Sequence, residues 1–98
     1  MTLLTVLSLH VPHDRRDDIV NHYLAADILR VSGAVSAKLC VDPNDPGAVV
    51  VIAEWPDPSA YEAWQAAPER DEFSRRILAI AGNDVTATTD ALHLVAST

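Results

Sequence analysis

The 98-residue sequence is poor in cysteine, glycine and basic side chains. The single cysteine, Cys40, excludes an internal disulfide and a cysteine-rich zinc module. Three glycines are too few for a glycine-rich phosphate-binding loop. The 7 basic residues are outnumbered by 14 acidic ones, and this balance argues against nucleic acid as a partner. No apolar run approaches the ~18 residues of a membrane span, so we expect no membrane association.

The apolar content, by contrast, is sufficient for a folded protein, because 49% of the residues are hydrophobic. No linker, repeat or low-complexity segment divides the chain, and we expect a single domain over residues 1–98. Residues 1–10 lack the basic leader and the small-residue cleavage site of a secretory signal, which favours a cytoplasmic location.

The succession of apolar and turn-forming residues predicts the element order β-α-β-β-α-β. The predicted strands cover residues 3–10, 34–41, 48–55 and 85–95. A first helix is predicted over residues 19–31, and turn formers at residues 42–47 separate the two middle strands. Asp57 is the predicted N-cap of a second helix, which Pro68 interrupts and which ends at Gly82. This order is typical of the α+β ferredoxin-like fold, with a four-stranded antiparallel sheet.

One face of such a sheet is covered by the helices, whereas the other face is bare. Residues 3–9 and 49–53 are apolar at most positions, so both faces of these two strands are largely apolar. A monomer would therefore expose a broad apolar surface to water. We expect a homodimer in which two sheets pack face to face across a twofold axis.

Three short sequence motifs at characteristic spacing indicate a resemblance to a known family. They are Ala53-Glu-Trp55, Ser59-Ala-Tyr-Glu-Ala-Trp64 and Ala67-Pro68 followed by Phe73. Over nearly its whole length the chain resembles the antibiotic biosynthesis monooxygenase family, which belongs to the dimeric α+β barrel group. The resemblance implies the ferredoxin-like fold and a barrel formed by two chains.

The resemblance also implies a cofactor-independent monooxygenase, which oxidises a hydroxylated aromatic such as a quinol or a polyketide-like compound with dioxygen. The best-known family mechanism uses no flavin, haem or metal. The substrate is deprotonated in an apolar pocket, and its carbanion reacts directly with dioxygen. Related barrels host other chemistry. Two alternatives therefore remain. One is a polyketide cyclase or isomerase, and the other is a non-catalytic dimer that binds a small molecule.

Two departures from the family pattern concern the second helix. Some members carry an Asn one turn before the pocket Trp, where this chain has Ala60. The haem-degrading branch needs an axial His on this helix, and no His lies between Trp64 and Ile80. Haem is therefore not expected. No pair of histidines is spaced with a carboxylate as a metal site requires, so we expect no metal.

Six residues are candidates for holding a small aromatic substrate. Trp64 is also a candidate catalytic residue, because the resemblance places it in the pocket, and a core aromatic is its other interpretation. Tyr23 and Phe73 are expected to line the same pocket, with Tyr61 and Ile77 beside them on the second helix. Arg70 shares the helical stripe of Phe73 and Ile77. It would pair with a substrate phenolate or carboxylate, or alternatively with Asp27.

Asp27 is a candidate catalytic residue because of its position in the first helix. On a helical wheel it falls among Val20, Tyr23, Leu24 and Val31, near the centre of the apolar face. A carboxylate in that position would be desolvated and would act as the general base for the substrate hydroxyl. The alternatives are an ion pair with an arginine (Arg16, Arg70 or Arg76) and a fraying helix end at which the side chain reaches water.

Overall fold

The structure is a computed structural model that describes residues 1–98. Its strands are β1 (Leu3–His10), β2 (Ser36–Asp42), β3 (Asp45–Trp55) and β4 (Thr86–His93). Its helices are α1 (Arg16–Ala26), α2 (Ile28–Val31), α3 (Pro58–Gln65) and α4 (Pro68–Ala81), and a 3₁₀ turn at His13–Arg15 precedes α1. None of these helices has the length and the apolar character that crossing a bilayer requires.

The four strands form one antiparallel sheet in the order β2-β3-β1-β4. β1 lies in the middle, where Leu3 pairs with Trp55 of β3 and with His93 of β4. β2 and β3 form a hairpin whose turn is only residues 43–44, because residues 45–47 extend β3 beyond the predicted strand. The arrangement confirms the predicted α+β ferredoxin-like fold.

Position 47, in the first part of β3, requires glycine because the backbone of Val11 passes very close to it. The amide of Val11 donates a 2.9 Å hydrogen bond to the carbonyl oxygen of Gly47. A Cβ atom at position 47 would lie only 2.5 Å from the carbonyl oxygen of Val11. Because this neighbour is backbone, any larger residue forces the two segments apart.

Alternate residues of β1 and β3 face the helices and form the core of the domain. Leu9 and Val49 are paired partners on this face, and Val49 is fully buried together with Ile19 of α1. Thr5 is the one polar residue in the buried set, and its Oγ1 accepts a 3.0 Å hydrogen bond from Trp55 Nε1. Hydrogen bonding of both side chains offsets the cost of burying their polar atoms.

The opposite face of the sheet is not covered by any element of the chain. Its central positions are the apolar side chains of Leu4, Val6, Val50, Ile52 and Leu92. All eight residues of β4 are exposed, because the helices cover β1 and β3 but not this edge strand. The predicted bare apolar face is therefore present in the single chain.

The predicted first helix is broken at Asp27, and the expected burial of this residue is wrong. Asp27 adopts a left-handed conformation with φ 52°, which ends α1 and starts the single turn of α2. The change of direction turns Ile28 into the core in place of Asp27. The Asp27 side chain is 54% exposed and accepts a 2.6 Å hydrogen bond from Arg30 Nε. Of the alternatives, exposure at a helix end was correct, whereas the ion pair uses a different arginine.

The second predicted helix is divided in two, as Pro68 indicates. Asp57 caps α3, since its carboxylate accepts a 2.9 Å hydrogen bond from the amide of Ala60. Pro68 occupies the first turn of α4, where its missing N–H costs nothing. α4 ends at Gly82, whose φ of 71° is readily accessible only to glycine. Because the break before Pro68 lets α4 run in a different direction from α3, the apolar face of α4 packs over the sheet.

Candidate active site

A cavity of about 290 Å³ lies between the helix-facing side of the sheet and the four helices, each of which contributes to its lining. Fifteen of its eighteen lining residues are hydrophobic, among them Val51 and Ala53 on the sheet. Leu78 and Ala87 also line it and are exposed, so the cavity opens to solvent between α4 and β4. A mostly apolar hollow with few polar groups is typical of a small-molecule site.

Five of the predicted site residues line this cavity. They are Tyr23, Trp64, Arg70, Phe73 and Ile77. The last three recur on α4 at the spacing of one helical face, which explains why they share the cavity wall. Trp64 packs against the main core as well as lining the cavity, so its two interpretations both apply.

Phe73 is held between two aromatic rings from α1. Tyr23 meets it edge to face, with the ring centroids 4.6 Å apart at 72°. The His22 ring stacks on Phe73, with the centroids 4.2 Å apart and the planes at 13°. The backbone carbonyl of Phe73 is also 3.3 Å from His22 Nε2, within hydrogen-bond distance. These contacts fix the ring of Phe73 as a rigid wall of the cavity.

Tyr23 and Arg70 are the ionisable groups of the cavity, and the charge of Arg70 acts on the Tyr23 hydroxyl. Burial raises the pKa of the Tyr23 hydroxyl to about 12, and the positive charge of Arg70 opposes part of that rise. Tyr23 is only 4% exposed, which accounts for the size of the effect. At neutral pH the phenol is therefore protonated, and it can donate a hydrogen bond but cannot act as a base.

Arg70 is the one arginine of the chain without a carboxylate within 4 Å. The five other arginines each pair with a nearby aspartate or glutamate on the surface. Arg70 is half-buried and lines a cavity that contains no acidic side chain. The possible Asp27–Arg70 pair is absent, because Asp27 binds Arg30 instead. An unpaired guanidinium beside an apolar cavity is a natural partner for an anionic ligand.

A sequence profile described as antibiotic biosynthesis monooxygenase matches residues 2–76. The chain belongs to this family. Among curated proteins no sequence match is found.

Several solved structures share the fold of this chain. One, described only by the family name, is 25% identical with a TM-score of 0.74, covering 95% of this chain and 99% of its own. A variant of SnoaB, a cofactor-independent oxygenase from Streptomyces nogalater, is 16% identical with a TM-score of 0.78, covering 98% and 95%. Rv0793 from Mycobacterium tuberculosis is 16% identical with a TM-score of 0.75, covering 99% and 100%. The last two matches show the fold alone.

Two predicted site residues lie outside the cavity. Tyr61 packs in a second, smaller core cluster, where its ring lies 5.3 Å from that of Trp55. Asp27 is exposed at the junction of α1 and α2 and does not reach the cavity lining. The helical wheel misplaced Asp27 because it assumed an unbroken helix.

Thirteen of the eighteen lining residues were not among the predicted site residues, and three of these carry side-chain polar atoms. Trp55 lines the cavity, and its indole N–H donates a hydrogen bond to Thr5. The alternation of Val51, Ala53 and Trp55 along β3 was the signal that would have placed it there. Ser32 and Ser74 supply hydroxyl groups to the lining, and neither had a distinguishing pattern in the sequence.

No aspartate, glutamate, histidine, lysine or cysteine lines the cavity. Elsewhere in the chain, no group of three or more histidine, cysteine, aspartate or glutamate side chains is arranged to hold a metal ion. The polar chemistry of the cavity is thus limited to a guanidinium, a neutral phenol, hydroxyl groups and indole N–H groups.

Proposed function

We propose that the chain is a cofactor-independent monooxygenase that oxidises a hydroxylated aromatic, such as a quinol or a polyketide-like compound, with dioxygen. Membership of the family and the apolar cavity support this proposal. The observation that carries it is the unpaired Arg70 on the cavity wall, because the reaction passes through an aromatic anion that needs a positive partner.

The proposed roles follow from the positions of the side chains. Arg70 binds the phenolate and stabilises its negative charge, and the protonated Tyr23 donates a second hydrogen bond to it. Trp64, Phe73 and Ile77 hold the ring and exclude water from it. The delocalised carbanion then reacts with dioxygen. In a substrate whose CH₂ group becomes a carbonyl, one oxygen atom enters that carbonyl and the other leaves as water.

The cavity offers no general base, and this restricts the substrate. Asp27 has no role in the proposed mechanism, and Tyr23 is protonated at neutral pH. The substrate hydroxyl must therefore release its proton to solvent, and the charge of Arg70 must lower the pKa of that hydroxyl. Substrates that are already weak acids are expected to react fastest, and the pH dependence of the rate should follow the pKa of the substrate used.

Oxygen uptake by flavin-free, chelator-treated protein tests the proposal. With 1,4-naphthalenediol, whose two fused rings match the cavity volume, we expect uptake above the rate of spontaneous oxidation. Arg70→Gln should lower kcat/KM by about 10- to 100-fold, the effect of losing one charge-assisted contact. Arg75→Gln is the matched control, because Arg75 lies on the same helix but pairs with Asp71 at the surface. Equal rates for wild type and Arg70→Gln would contradict the mechanism.

The same assay separates the two alternatives. Conversion of a substrate at the same rate without oxygen would indicate a cyclase or isomerase. Tight binding without conversion under any condition would indicate a binding module.

We also propose that two chains form a homodimer through the bare face of the sheet. The apolar residues of this face form one contiguous surface, since Val6 pairs with Ile52 and Leu4 with Leu92 across the strands. Lys38 and Asp90 occupy the same face on opposite sides of it. In a twofold arrangement the lysine of one chain can face the aspartate of the other, which favours association of identical faces.

Sedimentation of the purified protein tests the dimer. At micromolar concentration we expect a dimer for the wild type and a monomer for Val6→Asp, because the new carboxylate would be buried without a partner. Leu24→Asp is the control, since Leu24 is 64% exposed on α1, away from this face. A monomeric wild type would contradict the proposal.

A further inference from the structure

Helix α4 presents two polar side chains to the cavity, one turn apart. Arg70 and Ser74 stand at positions i and i+4, and both are half-buried in the cavity lining. Side chains with this spacing lie on the same helix face, with Cβ atoms about 5–6 Å apart. The two polar groups therefore form a pair on an otherwise apolar wall.

Neither member of this pair is satisfied by the protein. Ser32 and Ser59 donate hydrogen bonds to neighbouring groups, but the Ser74 hydroxyl makes none. Arg70 has no carboxylate partner. A serine inside a helix commonly bonds to the carbonyl one turn earlier, so a free hydroxyl that faces a cavity is available to a ligand.

The size of the cavity fixes how much aromatic ligand can lie against this pair. An apolar cavity of about 150 Å³ accommodates benzene. The volume of about 290 Å³ is close to twice that, which is enough for two fused rings. A ligand of that size is longer than the separation of about 5–6 Å between the two Cβ atoms, so it can contact both side chains at once.

We infer that Ser74 is a specificity-determining residue, which binds a second oxygen substituent of a ligand whose anionic group is held by Arg70. This inference rests on the proposed function, since it concerns the same cavity. Because the two Cβ atoms are about 5–6 Å apart on one helix face, the two groups can contact separate substituents of one bicyclic ligand. The Ser74 hydroxyl can donate to a carbonyl or accept from a hydroxyl. Bicyclic anions with such a second oxygen are therefore preferred over those without it.

Calorimetric titration with two non-reacting probes tests the inference without any turnover. The probes are 1-naphthoate and 4-hydroxy-1-naphthoate, which differ only in the hydroxyl opposite the carboxylate. The wild type should bind the hydroxylated probe about three- to tenfold more tightly, the effect of one net hydrogen bond. Ser74→Ala should remove that preference and leave the affinity for 1-naphthoate unchanged. Arg70→Gln should weaken both probes by a similar factor.

The controls and outcomes separate this inference from the proposed activity. Ser36→Ala is the matched control, because Ser36 lies on β2 on the opposite face of the sheet. Equal affinity of the wild type for the two probes, or a preference that survives Ser74→Ala, overturns the inference. Binding of neither probe overturns it as well. If the preference depends on Ser74 but no compound supports oxygen uptake, the inference stands and the monooxygenase proposal fails.

Discussion

The raised pKa of Tyr23 predicts a specific loss of stability at alkaline pH. In the unfolded chain the phenol ionises near pH 10, whereas in the folded protein it ionises near 12 because it is buried. Between these values the folded state keeps a proton that the unfolded state has lost. The free energy of unfolding therefore falls as the pH rises through this interval, and below pH 10 the contribution of Tyr23 does not change with pH.

The size of the loss follows from the same two pKa values. By pH 11 the loss caused by Tyr23 is about 1.4 kcal/mol, and beyond pH 12 it approaches about 3 kcal/mol. Urea unfolding followed by circular dichroism at intervals between pH 8 and 11 measures this loss. Tyr23→Phe is the reference, because every other titrating group is common to both proteins. The free energy of unfolding of the wild type should fall relative to that of Tyr23→Phe only above pH 10.

Parallel curves for the two proteins would refute the reasoning, because the Tyr23 hydroxyl would then ionise as readily in the folded chain as in the unfolded one. An independent check uses the neighbouring charge. Since Arg70 lowers the pKa of Tyr23, Arg70→Gln should shift the phenolate absorbance change of Tyr23 to still higher pH. An unchanged titration, or a shift to lower pH, would contradict the inferred effect of Arg70 on Tyr23.

Three further substitutions test other parts of the structure. Thr5→Val removes the acceptor of the buried Trp55 N–H and should lower the free energy of unfolding by about 1–3 kcal/mol, measured in urea. Asp27→Asn should leave kcat/KM unchanged, because Asn also tolerates the left-handed conformation and the side chain is outside the cavity. A tenfold loss would restore Asp27 as a base. Gly47→Ala should lower the melting temperature, because its Cβ would press on the Val11 carbonyl.

The order of elements and the sheet topology could be predicted because they depend on periodic patterns. Alternating apolar residues in the strands, and apolar residues three or four apart in α4, mark the faces that must be buried. The same periodicity placed Phe73 and Ile77 on the cavity wall. Asp57 and Pro68 act locally at helix starts, so their positions could also be predicted.

The break at Asp27 could not be predicted from the same patterns. No Gly or Pro marks it, and the apolar spacing continues through Ile28 as if the helix were unbroken. The left-handed conformation of Asp27 is favoured by the packing of α2, because this helix must turn to bury Ile28 and to bring Leu29 and Ser32 to the cavity. Such a break is determined by tertiary packing, which a helical wheel does not include.

The sequence of α4 itself indicates that Arg70 lacks an acidic partner. Arg75 and Arg76 each have an acidic residue four positions earlier, and both of those pairs form on the solvent side of α4. The positions three and four residues before and after Arg70 contain only alanine, phenylalanine and serine. The helix itself can therefore neutralise the two outer arginines but not the one on its cavity face. Arg70 is half-buried, its own helix offers no acidic partner, and the cavity beside it contains no acidic side chain. An anion bound in that cavity would therefore stabilise its charge most directly.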